Sequence, residues 1–508
     1  MRAPILIAAR AALLAGPTVL AFFSGGYFDE PRAWAGLVAW LLVAVGVLAS
    51  PRAVPRRRSS WLALGGIGLL GAWTLLSIGW APIAGSAYHA GQLVVLYLGT
   101  LLAAAVLLRS PGAQRAVEPA LAAGVLIVIG YGLSERMLPG VLHFARSVSA
   151  QGRLEQPLTY WNAMGELAAL GFVLAARVAG DGGRSARLRV VAAAASVPLG
   201  LGLYLSFSRG ALFACGAGLV ALAVAAPRRE QLRAIGISVG AAVLASLAAA
   251  PFHGVSSLAG ALSTREREGA IVLGISLILM SAAAVAQRTL VRRECGAEIR
   301  LPRHAGRIAL GVICAGLAIA ILAGAKEHSG VPLSAGASRY TTLESNRYAY
   351  WGVALRAFGD QPVRGVGAGG WAVYWLRYRH IKEFASDAHS LPLQTLAELG
   401  LVGLALLAAF FAGVALAGRA AYRGAPALAA GPIAACVAYV AHAPLDWDWQ
   451  MPAVTLIAIG LAGALLALSE DYADPRARSH AEARASREPR MAASSASAAA
   501  SRASSSAI

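Results

Sequence analysis

Charged side chains are scarce in this 508-residue chain: Asp, Glu, Lys and Arg make up 14% of it, against about 25% in a typical soluble domain. That shortage, with 58% apolar residues and a mean hydropathy of +0.62, excludes an ordinary globular protein. It also excludes disorder over most of the length, because so much apolar surface cannot be left in water. Cysteine is sparse too. The four residues Cys215, Cys295, Cys314 and Cys436 stand apart, three of them in apolar stretches. None has a neighbour at metal-ligand or redox spacing, so neither a disulfide framework nor a zinc site is expected. Internal repeats are missing, which removes the usual signature of an inverted-repeat transporter.

What the chain does have is 14 apolar segments, near 4–24, 32–50, 61–80, 89–108, 116–134, 162–179, 190–206, 210–226, 234–250, 269–286, 308–325, 392–417, 425–443 and 452–469. Stretches of about 17–25 apolar residues separated by short charged loops are what helices crossing a bilayer require. The expected fold is therefore all-α: a polytopic transmembrane helical bundle of about 12–14 spans with one large extracytoplasmic helical loop. Residues 1–325 hold eleven spans, 326–391 the loop, 392–469 three more spans, and 470–508 a low-complexity tail expected to be disordered in the cytoplasm. Met1 to Gly26 resembles a signal peptide, but similar segments follow throughout, so it reads as a retained first span.

The net charge of +19 does not point to nucleic acid. With the N-terminus in the cytoplasm, the inner loops 51–60, 109–115, 177–189, 227–233, 287–307 and 418–424 carry 21 basic residues. The short outer loops carry seven: Arg32, Arg136, Arg146, Arg153, Arg209, Arg265 and Arg267. This threefold excess follows the positive-inside rule and suits contact with anionic lipids. It also puts Lys326 to Leu391 outside. Within that loop, Ser345 to Gly359 places Tyr348, Trp351, Leu355 and Phe358 at helical spacing, and Asp360-Gln361-Pro362 ends the helix. Trp371 to Lys382 reads as a second aromatic-rich helix. Between them Gly365-Val366-Gly367-Ala368-Gly369-Gly370 satisfies GxGxxG literally, yet a helix and a proline precede it where a dinucleotide site needs a strand. It is expected to be a flexible turn joining two surface helices.

Polar groups at or within a membrane are costly and so mark candidate sites. Arg209, in Ser208-Arg209-Gly210, interrupts two apolar segments at their outer ends. It is either a turn arginine snorkelling to headgroups or an anion-binding arginine at a helix N-terminus. Arg347 lies on the first loop helix. His389 closes the loop, and a neutral imidazole suits abstraction of a hydroxyl proton near neutral pH. Glu398 would lie about 13 Å deeper at 1.5 Å per residue, and needs a partner or a wet cavity. His442, Asp446, Trp447, Asp448 and Trp449 cluster at the outer edge between the last two spans, as an acceptor-site lining or an interfacial aromatic belt with two solvated carboxylates.

Taken together and in order, Tyr160-Trp161-Asn162-Ala163-Met164-Gly165, Ser208-Arg209-Gly210, the block from Asn346-Arg347 through Gly365-Val366-Gly367 to Ala388-His389-Ser390, and Leu393-Gln394 with Ala397-Glu398-Leu399-Gly400-Leu401-Val402-Gly403 resemble the O-antigen ligase and polymerase superfamily of bacterial membrane glycosyltransferases. The resemblance spans roughly residues 150–410. It implies transfer of a glycan from undecaprenyl pyrophosphate to an acceptor hydroxyl on the outer face of the cytoplasmic membrane, without metal or other cofactor. It implies that Arg209 and Arg347 bind the donor pyrophosphate and that His389 is the general base. Asn162 is a further donor-binding candidate, and Glu398, Asp446 and Asp448 are candidate supporting residues to which the resemblance assigns no role. The partners implied are a lipid-linked donor, a glycan, lipid or protein acceptor, and membrane lipids. A ligase, a polymerase and a protein O-oligosaccharyltransferase all remain open within the family, with a secondary transporter as the alternative from another class.

The topology is directly testable. Phosphatase fusions within 345–391 should be active and fusions within 287–307 inactive; the reverse pattern would place Arg347 and His389 on the wrong side of the membrane.

Overall fold

The computed structural model describes residues 2–50, 54–293, 298–324, 338, 340 and 345–471. Cys295, most of the loop before Ser345 and the tail after Asp471 lie outside the described residues. Among the described residues all extended secondary structure is helical, apart from one isolated bridge between Arg228 and Glu298. The helices are α1 (Arg2–Ala21), α2 (Asp29–Ala49), α3 (Arg58–Leu76), α4 (Ala84–Leu107), α5 (Pro111–Met137), α6 (Trp161–Gly180), α7 (Ala186–Leu205), α8 (Arg209–Ala225) and α9 (Arg229–Ala249). They continue as the single turn α10 (His253–Ser256), α11 (Leu262–Arg292), α12 (Ala305–Gly324), α13 (Arg347–Asp360), α14 (Gly370–Tyr378), α15 (Leu391–Gly424), α16 (Pro426–His442) and α17 (Pro452–Asp471). Eleven are long and apolar enough to cross a membrane, and α8, α16 and Ala305–Ile319 of α12 are shorter apolar segments. Every apolar segment read from the sequence falls on one of these helices. The protein is a polytopic helical bundle.

Local chemistry sets several helix starts. Ser110, Ser185 and Ser208 each precede a helix in extended backbone and accept a hydrogen bond from the amide three residues on, the usual N-cap arrangement. Proline at the first turn of α5, α15 and α16 costs no hydrogen bond there.

At the centre stand α6 and α17, whose spans are wholly buried. Both are rich in Ala and Gly, which lets neighbouring backbones approach closely where no water drives association. The peripheral α1, α2 and α11 keep most of their surface outward, with Leu37, Leu41, Leu48 and Ile278 exposed as lipid-facing side chains are.

The two ends of the bundle are tied differently. At one end Glu118 of α5 meets Arg184 at 2.6 Å and Arg177 at 3.8 Å. Arg177 also donates to Gln231 of α9 at 3.1 Å, and Gln287 of α11 donates to the Ala179 carbonyl. Glu470 closes the start of α3 there, accepting from the amides of Arg56 and Arg57 and from the Ser60 hydroxyl. The candidate site residues lie at the opposite end, as alternating antiparallel helices require.

Three expectations for the loop change. The face of α13 that packs inward is Ala349, Tyr350, Val353, Ala354 and Ala357, while Leu355 of the expected apolar stripe is exposed. The buried face meets Trp371 and Trp375 of α14 and Ala388 in a small core of its own. The second helix ends at Tyr378, short of Lys382. The glycine-rich turn, expected to lie loose on the surface, instead inserts into a break in α15. Gly400 leaves the helical region, with φ 65° and ψ −163°. Around it Val366 and Gly367 donate to the Ala397 and Glu398 carbonyls at 3.0 and 2.8 Å, and Leu401 donates to the Pro362 carbonyl at 2.9 Å. The turn thereby supplies the hydrogen bonds the broken helix lacks, where lipid could not.

Gly400 and Gly365 both have positive φ, and at each a Cβ would collide with backbone of the opposing segment. Gly365→Ala and Gly400→Ala should each cost about 1–3 kcal/mol or more, read as a lower thermal midpoint of the purified protein; an unchanged midpoint would show that the junction is not tightly packed.

Candidate active site

The site is organised by Asp446, a fully buried carboxylate in the turn between α16 and α17. It accepts hydrogen bonds from Arg347 Nη2 at 2.8 Å, the Tyr160 hydroxyl at 2.7 Å and its neighbour's amide, Trp447 N, at 2.9 Å. His389 Nδ1 lies 3.2 Å from the same carboxylate. One side chain thus gathers the start of α13, the residue before α6 and the residue before the cap of α15. Asn162 extends the chain by donating to Tyr160 at 2.8 Å.

A carboxylate is an acceptor only, so the proton on the His389 ring sits on Nδ1 and the Nε2 lone pair is left to act as base. The ring is further fixed by stacking on Tyr350, centroids 5.1 Å apart, and by the edge of Trp447. Its backbone is held as firmly. Gln394 accepts from the Ala388 amide at 3.2 Å and donates to Asp387 at 2.9 Å, while the Leu391 amide donates to the Ala443 carbonyl. His389 has φ 51°, and Thr159 and Phe207, just before Tyr160 and the Ser208-Arg209 turn, also adopt positive φ. Such residues cost about 1–3 kcal/mol each and persist only where their surroundings over-determine them.

Arg209 is the first residue of α8, behind the Ser208 cap. Its guanidinium and that of Arg347 act on one phenol: burial pushes Tyr348 up, and Arg347 and then Arg209 oppose the rise. Arg209, Arg347, His389, Asn162 and Asp446 therefore share one end of the bundle.

Glu398 lies apart from them. Its carboxylate accepts from the Trp371 amide at 3.3 Å and faces Gln394 at 3.5 Å. It also lines a cavity of about 50 Å³ with Thr74, Gln394, Trp447, Trp449 and Gln450, room for a few waters. A partner and a cavity are thus both present, and Glu398 acts on the histidine turn through Gln394. Asp448 faces away from the open site toward His442.

The two aspartates contrast sharply. Burial alone would raise Asp446, but Arg347 and the His389 contact outweigh it and hold the carboxyl well below 3.8. Burial raises Asp448, opposed chiefly by His442, and its Oδ1 accepts no hydrogen bond from the described residues. Sequence reasoning did not single out Tyr160 or Gln394 individually, nor Glu166. Glu166 carried a usable signal, a lone carboxylate in an apolar stretch.

Residues 252–408 match the family model described as O-antigen ligase. The match covers under a third of the chain and supports a place in the O-antigen ligase superfamily. No curated protein matches it. The O-antigen ligase match runs from Phe252 into α15 and contains Arg347, His389 and Glu398; Asn162, Arg209 and Asp446 reach the site from outside the matched stretch. The general activity this supports is that of a multi-pass membrane glycosyltransferase.

Replacing Asp446 should expose its role. A folded-state pKa below the unfolded value adds stability that is present above the ordinary value of 3.8 and is lost as pH falls below it. Asp446→Asn should lower stability by about 3 kcal/mol near neutral pH and show a shallower loss on acidification than the parent. Thermal unfolding scans from about pH 6 to about pH 3 measure both, and parallel curves would rule the ion pair out as a source of acid sensitivity.

Proposed function

We propose that the protein transfers a glycan from an undecaprenyl-pyrophosphate donor to an acceptor hydroxyl on the outer face of the cytoplasmic membrane, as an O-antigen ligase-type enzyme with both termini in the cytoplasm. The observation that carries this reading is the meeting of Arg347 and His389 on the buried carboxylate of Asp446, with Arg209 on the same rim.

The acceptor hydroxyl approaches His389 Nε2, which removes its proton as the oxygen attacks the anomeric carbon. The bond from that carbon to the diphosphate oxygen breaks, and its electron pair leaves with the diphosphate. A single displacement of this kind inverts the anomeric centre. Asp446 holds the imidazole in the required tautomer and stabilises the imidazolium that forms, the division of labour seen in Ser-His-Asp sites. Negative charge grows on the diphosphate, and guanidinium groups stay protonated and match its oxygens in bidentate geometry. Arginines placed beforehand lower the barrier without reorganising, so countercharge is supplied with no metal ion in the scheme. Asn162 orients Tyr160, and through it the Asp446 side of the donor site.

A transporter would place its polar groups near the bilayer midplane on repeated broken helices. Here the convergent groups lie at one end of the bundle, and the break in α15 is filled by the chain's own turn.

Arg209→Ala, Arg347→Ala and His389→Ala should each reduce transfer from lipid-linked donor in purified membranes, the histidine variant by about 10²–10⁴-fold. Full activity in all three at normal expression would refute the catalytic assignment. Mass spectrometry of surface glycoconjugates with and without the protein then identifies the acceptor: loss of the glycan from its carrier marks a ligase, and shortened chains mark a polymerase.

A further inference from the structure

Behind the open site lies a second histidine–aspartate pair that the mechanism above leaves unused. His442, the last residue of α16, is fully buried and turns Nδ1 onto Asp448. Glu166 of α6, also fully buried, places Oε2 3.9 Å from the same nitrogen, and neither Glu166 oxygen has a hydrogen-bond partner among the described residues. Nε2 of His442 is likewise without one. It points at the first turn of α8: a Cβ on Gly210 would lie 2.9 Å from Nε2 and 3.0 Å from Cδ2. The ring thus rests directly on the backbone that carries Arg209.

We propose that His442 is a positioning residue for the diphosphate end of the site: a buried imidazolium, backed by Asp448 and Glu166, that seats the N-terminus of α8 and with it Arg209. The inference rests on the reading of Arg209 as a diphosphate ligand. Two carboxylates closed off from water need a compensating charge, and His442 is the group that faces both. The groups acting on it are Asp448 and Asp446 from the α16–α17 turn and Glu166 from α6. Tyr97 of α4, Tyr439 of α16 and Cys215 of α8 surround the same carboxylates.

A proton at this place is unfavourable beside the positive end of α8 when the site is empty. A bound diphosphate reverses that balance, because helix end, Arg209 and imidazolium then all attract the same anion. The two carboxylates keep the arrangement stable between turnovers. Glycine is required at 210 because a side chain would push the imidazole off the helix start.

The test uses the full-length protein in detergent, with undecaprenyl diphosphate as a competitive inhibitor of transfer. His442→Gln keeps the bulk and an N–H donor but removes the charge. Inhibition by undecaprenyl diphosphate should weaken by about tenfold, as for loss of a charge-assisted contact, while the acceptor KM stays within error. In the parent, inhibition should weaken at alkaline pH as the ring loses its proton, and His442→Gln should lack that fall. An unchanged inhibition constant and an unchanged pH trend would overturn the proposal, and would leave the functional reading standing if Arg209→Ala still abolishes transfer. If Arg209→Ala, Arg347→Ala and His389→Ala are all fully active, it is the functional reading that fails. Should His442→Gln not fold, Gly210→Ala carries the test: weaker inhibition with an unchanged acceptor KM supports the proposal, and unaltered inhibition overturns it.

Discussion

The site end of the bundle depends on one dehydrated negative charge. Asp446 sits where water cannot reach it, and a bare carboxylate there would be several kcal/mol unfavourable. Its cost is met by an arginine, a tyrosine and a histidine converging from remote parts of the chain, and by the amide of the next residue. Without the carboxylate these groups lose a shared partner, and without them the buried carboxylate is strongly unfavourable. That mutual requirement brings α6, α13, α15 and the α16–α17 turn to a single point.

The break in α15 solves a related problem. A helix that ends within an apolar bundle exposes carbonyls and amides that lipid cannot satisfy. Here the turn from Pro362 to Gly370 takes those places, so the loop helices are stitched into the bundle rather than laid over it. His389 is thereby framed on both sides. The α13–α14 core supports its ring through Tyr350, and the first half of α15 supports its backbone through Gln394.

Much of this was legible in the sequence, for physical reasons. Apolar stretches must be helical in a bilayer, so each apolar segment could be placed on a helix, although α11 and α15 run up to seven residues beyond the segments read. Charge asymmetry, ordered motifs and the cost of membrane polar groups pointed to Arg209, Arg347 and His389. The rest was hidden because it depends on distance in space. Asp446 could be an interfacial carboxylate or the hub of the site, and only the approach of Tyr160, 286 residues away along the chain, decides between them. Helical spacing on α13 showed an apolar stripe at Tyr348, Trp351, Leu355 and Phe358, whereas the protein buries the neighbouring face with Tyr350 and Val353, because that is where α14 lies. The glycine pattern was read as freedom to move, when small residues can equally serve close contact. Here they do.

The full burial of α6 and α17 has a mechanical consequence. The anchoring groups Tyr160, Asn162 and Asp446 are attached to the ends of two rods that touch protein on every side. Changes in acyl-chain length or hydrophobic thickness press first on the outer ring of α1, α2 and α11, which can tilt to follow the bilayer. The geometry around the imidazole is insulated from that deformation, so one protein can keep its chemistry constant in envelopes of different lipid make-up.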